Sequence, residues 1–154
     1  MTDTEQYVGE IIALHRLVHQ QMRDEIAGLD RAALSWTPGP DTSAIGTIIT
    51  HALGAEAEML RNLLDIPTQR DRDAEFTAPV HERAPLLALL DAADTDWAEL
   101  APRLGAAELR AARPRPNKPT PQSGLFWLVR DYGHLREHLA QIQFTKQLYG
   151  MRQP

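Results

Sequence analysis

The 11 prolines of this chain leave four long stretches largely free of them, and each stretch repeats its apolar residues at three- and four-residue intervals. A proline inside a helix removes a hydrogen bond and clashes with the preceding turn. Segments that combine its absence with this period are where helices can run. The pattern predicts helices over 4–29, 43–64, 85–101 and 125–149. Val8, Ile12, Val18, Met22 and Ile26 mark the core face of the first, and Ile45, Ile49, Ala52, Met59 and Leu63 that of the second. Leu86, Leu90, Ala93 and Trp97 do so for the third, and Leu128, Leu135, Leu139 and Ile142 for the fourth. Asp41, Thr42 and Ser43 offer caps for the second helix, and Pro85 suits the first turn of the third. Gly46 and Gly54 weaken the second helix, which points to a close approach of another helix at those positions. The stretch 65–83 reads as polar and irregular. The stretch 105–123 carries Pro114, Pro116, Pro119 and Pro121, and reads as extended, partly polyproline-like chain with a short turn near Glu108. The expectation is an all-α four-helix bundle with two long connections, forming one domain over 1–154.

Composition removes several classes of function. A net charge of −5 argues against nucleic acid as a partner. No apolar run is long enough to span a bilayer, and the acidic N-terminus lacks a signal core, so a cytoplasmic location is expected. The absence of cysteine removes thiolate ligands and a cysteine nucleophile. Six histidines remain to do soft chemistry.

His134 and His138 lie four apart in the last helix, at the flank of its apolar stripe. Such residues differ by roughly 40° in direction and stand about 6 Å apart along the axis, a spacing that one metal ion can bridge. His51 holds a matching flank position on the second helix and is the natural third ligand. Three imidazoles suit zinc, nickel or iron, which the sequence does not tell apart, better than magnesium or calcium. The same run, with Glu137, matches the H-x-x-E-H pattern of inverzincin proteases. Glu137 points about 100° away from His138, and those proteases are much larger, so that reading is set aside.

Around the triad, Glu58 is a candidate to orient His51, and Asp131 and Gln141 flank the other two ligands. His15 could approach the site from the first helix, whereas His19 reads as a buried group satisfied by its neighbours and His81 as a solvated loop residue. Trp127 shares a face with His134 and is expected at a pocket wall. Arg113, Arg115 and Lys118 make the proline-rich connection basic, and could hold an anionic group of a substrate or thiol. No general acid or base stands out.

The segment Leu34-Ser35-Trp36-Thr37-Pro38, followed by Ser43-Ala44-Ile45-Gly46 and then His51, resembles the opening of the second helix in the DinB-like family. The segment Tyr132-Gly133-His134 through His138 to Gln141-Ile142 resembles that family's fourth helix. The resemblance implies a four-helix bundle, a divalent metal on His51, His134 and His138, and a homodimer. Relatives include thiol S-transferases that use bacillithiol or mycothiol and a mycothiol-dependent maleylpyruvate isomerase. The leading expectation is therefore a metal-dependent enzyme that joins a low-molecular-weight thiol to a small-molecule electrophile. A metal-dependent hydrolase is the variant. The alternative from another class is a non-catalytic, dimeric stress-response bundle that binds a metal or a ligand.

Overall fold

The structure, a computed structural model, describes residues 1–152. Helix α1, Asp3–Ile26, opens on a capping box: the Glu5 N–H donates to the Thr2 hydroxyl, and the Thr2 N–H donates to the Glu5 carboxylate. A one-turn helix α2, Arg31–Ser35, is capped by Asp30. Helix α3, Ile45–Leu63, starts at Ala44 with no side-chain cap. The hydroxyl of Thr42, one of the expected caps, instead donates to the Gly39 carbonyl and closes the preceding turn. Helix α4, Arg72–Thr77, is capped by Asp71 and stands where the sequence suggests irregular chain. Helix α5, Arg83–Leu100, runs into a 3₁₀ turn, Ala101–Arg103, and the short α6, Ala106–Arg110. Ser123 then caps α7, Gly124–Met151.

Between α6 and α7 the polyproline expectation fails. Strand β1, Ala112–Arg115, pairs antiparallel with β2, Lys118–Ser123. Pro116 and Asn117 make the turn, and Asn117 takes the left-handed φ of 62° that asparagine tolerates. An irregularity between Arg113 and Arg115 interrupts the ladder. Each strand of a two-stranded ribbon has a free edge, where a missing proline N–H does no harm.

The expected bundle is present. Helix α7 packs on α1 and α3, and α5 packs on the same two, so the long helices form a ring in the order α1, α7, α3, α5. Gly46 lies against the loop before α5, not against a helix: a Cβ there would sit 2.0 Å from the Val80 carbonyl oxygen and 2.9 Å from the His81 ring. His81 is thus half-buried, with its Nε2 3.4 Å from the Thr47 hydroxyl. That corrects the solvated reading.

The core falls into two apolar clusters. One holds Val18, Ile49, Leu53, Leu90 and Leu135, and the other Val8, Met59, Leu60, Trp97 and Leu128. Every long helix crosses from one to the other, and each carries polar side chains at the crossing: His15 and His19 on α1, Glu56 on α3, Asp94 on α5 and Asp131 on α7. His19 joins two of them, bonding Glu56 through Nε2 at 3.1 Å and Asp94 through Nδ1 at 2.8 Å. Burial works against charging His19, yet those two carboxylates outweigh it and raise its pKa above the ordinary value.

Candidate metal centre

The adjacency of α3 and α7 brings His51, His134 and His138 together. One ring nitrogen from each lies within 4.8 Å of the others. Nε2 of His134 and Nε2 of His138 are 2.9 Å apart. The His51 ring stands edge-on to both, with centroids 5.7 Å from His134 and 5.2 Å from His138.

Two of the rings are oriented by neighbours. His138 Nδ1 is 2.7 Å from the Gln141 amide oxygen, an acceptor, so Nδ1 carries the proton and Nε2 the lone pair. His51 Nδ1 is 2.9 Å from a carboxylate oxygen of Glu75, which leaves its Nε2 lone pair to face the other two rings. Gln141 thus occupies the supporting position that the sequence suggests. Glu58 does not: it pairs with Arg70 at 3.3 Å, and Glu75 takes its place on His51. Arg70 in turn holds Glu75 through Nε at 2.6 Å and a terminal nitrogen at 2.9 Å. Gly54 makes room for this pair, because a Cβ there would sit 2.3 Å from a Glu75 carboxylate oxygen. Sequence reasoning missed Glu75 and Arg70. The one signal that could have found them is Asp71, a capping residue ahead of Asp73 and Glu75.

The electrostatics favour the neutral form of His134 and His51. Burial, reinforced by the neighbouring His138, pushes the His134 imidazole down to about 4. Burial also lowers His51, with Glu75 pulling the other way and His138 and Arg70 adding to the depression. Neutral imidazoles with lone pairs turned to a common point are the protonation state that divalent cations need. The donor set therefore fits a zinc-like ion.

A cleft of about 890 Å³ opens beside His51 and His134, between α3, α4, the hairpin turn and α7. Glu58 and Asp131 line it, as do Arg115 and Lys118. Arg115 is buried; it donates to the Ala55 carbonyl at 3.0 Å, and lies 3.9 Å from Glu58 and 4.0 Å from Asp131. Burial lowers the Lys118 ammonium, and the nearby Arg115 and Arg130 add to that. Among the described residues, no carboxylate lies within 4.0 Å of Lys118 or Arg130. Arg130, which the sequence did not single out, also lines the cleft.

Three expected site residues lie elsewhere. Arg113 is engaged by Asp65, and its carbonyl accepts a hydrogen bond from Trp127 Nε1 at 2.8 Å. Trp127 belongs to the core and pins the hairpin to α7 rather than lining the cleft. His15 turns inward to Asp131, at 3.5 Å, and stays outside the triad.

A family model described as the DinB superfamily matches residues 8–142. No curated protein sequence matches the chain.

Proposed function

The chain belongs to the DinB superfamily, and from that premise we propose that it is a divalent-metal-dependent enzyme that transfers a low-molecular-weight thiol to a small electrophile. The observation that carries this reading is the convergence of three imidazoles beside a cleft whose lining includes Lys118 and Arg130, neither of which has a carboxylate within 4.0 Å among the described residues. His51, His134 and His138 would hold the ion, with Glu75 and Gln141 fixing two of the rings. When bound, the ion would lower the pKa of a thiol and supply a thiolate. The new C–S bond forms as the electrophile's leaving group departs with its electron pair, and the thiol proton passes to solvent. Lys118 and Arg130, which have no carboxylate within 4.0 Å among the described residues, would hold an anionic group such as a carboxylate on the thiol or the electrophile. The chain needs no cysteine of its own for this chemistry.

The test uses protein prepared without a histidine tag. Zinc, nickel and iron content is measured for wild type and for the triple variant His51→Ala, His134→Ala, His138→Ala. Thiol consumption is then followed with several electrophiles. The expected result is a metal ion lost in the triple variant together with thiol consumption. Equal metal content and equal thiol consumption in the two proteins would overturn the reading.

A further inference from the structure

Three side chains of the polar layer are almost wholly buried: His15 is 0% exposed, Asp131 1% and Glu56 2%. They come from α1, α7 and α3, three of the four long helices. His15 Nδ1 donates to the Ile11 carbonyl at 2.9 Å, so a neutral ring carries its lone pair on Nε2. That lone pair faces Asp131 Oδ2 at 3.5 Å, and neither atom has a hydrogen-bond partner among the described residues. Two buried polar atoms without a hydrogen-bond partner thus face one another in a water-poor interior, an arrangement that costs free energy unless something lies between them. Glu56 adds a third donor: one atom from each of the three residues lies within 4.8 Å of the others. Its carboxylate is steadied by His19, whose Nε2 is 3.0 Å from one oxygen and 3.1 Å from the other. Among the described residues, the one guanidinium within 4.0 Å of Asp131 belongs to Arg115, at 4.0 Å from the other carboxylate oxygen.

We propose that His15, Glu56 and Asp131 form a second divalent-cation site at the centre of the bundle, separate from the three-histidine site. Helical bundles build such sites from histidine and carboxylate side chains on facing helices. One imidazole nitrogen with two carboxylates is a harder donor set than three imidazoles, and suits manganese(II) or iron(II). The Trp97 ring covers the His15 ring, with centroids 4.1 Å apart. Asp131 also lines the large cleft.

The test is a count of ions per chain in metal-stripped, full-length protein titrated with manganese(II), followed by the paramagnetic resonance of free manganese. The His51→Ala, His134→Ala, His138→Ala variant should still bind one manganese ion. Adding His15→Gln and Asp131→Asn should weaken that binding by more than the roughly tenfold that loss of a ligand's outer partner costs. Wild type, which needs no variant to fold, should bind one ion more than wild type carrying only His15→Gln and Asp131→Asn. If wild type and the triad variant bind the same number of manganese ions and the layer substitutions remove one, this site stands, and the triad reading is decided separately by the zinc, nickel and iron content of the triad variant. If the triad variant binds no manganese, or its manganese survives the layer substitutions unchanged, the layer holds a buried water only and the proposal is overturned.

Discussion

Gly54 shows how much of the candidate metal centre depends on a single missing carbon. It sits on α3 where Glu75 must come close to reach His51. In Gly54→Ala the added methyl favours the helix by about 1 kcal/mol. It also displaces the Glu75 carboxylate, so metal affinity should fall by roughly 10–100-fold, the range for losing a ligand's outer partner. Calorimetric titration with zinc would check this, and an unchanged affinity would separate Glu75 from the site. His81 makes a second case. Burial first, and then the nearby Arg31, hold its imidazole below the ordinary value. Below about pH 6.5 the unfolded chain takes up a proton that the folded chain resists. The stability owed to neutral His81 is therefore present above that pH and lost as pH falls toward the depressed folded value. Denaturation midpoints measured from pH 7 to 5 should fall less steeply in His81→Asn than in wild type. His134 and His138 were legible in the sequence because one helix sets their spacing. His81 was not, because its burial depends on a glycine far away in the chain.

At the scale of elements, the long helices were readable and the short ones were not. Each long helix repeats its apolar stripe over several turns, enough to separate the helical period from chance. Helix α4 has six residues, too few for a period to show, and it lies between Pro67 and Pro79. Yet α4 carries Glu75 to His51, so half of the ligand support was out of reach of pattern reading. The hairpin was hidden for another reason. Its alternating prolines imitate polyproline chain, and only the Pro116-Asn117 turn signals pairing. Since α4 has little packing of its own, its cap should matter: Asp71 accepts from the Ala74 N–H at 3.0 Å. Asp71→Ala should cost about 1 kcal/mol, frayed locally over α4. Amide exchange of residues 72–77 should quicken, and Asp71→Asn, which keeps the cap, should restore wild-type rates.

For the whole molecule, the resemblance that anticipated the bundle also implies a second copy of the chain. Leu125, Phe126 and Val129 stand exposed within little more than one turn at the start of α7, an apolar face that a partner would cover. Light scattering at micromolar concentration is expected to give a mass near twice 17.2 kDa, and a mass near that of one chain would count against the dimer. The polar layer has a bearing on uniqueness as well. An oily core lets a helix slide by a turn and still bury hydrocarbon. Here any slide of α1, α3 or α7 would strand His19, Glu56 or Asp131 against aliphatic side chains, so the layer acts as an alignment key for the bundle. Buried polar sets often lower stability relative to apolar replacements while holding one arrangement. Replacing His15, His19, Glu56 and Asp131 together by leucine or methionine should therefore raise the melting temperature of metal-free protein. The same protein should lose the dispersion of its methyl resonances, as a molecule does when several alignments of its helices have nearly equal energy.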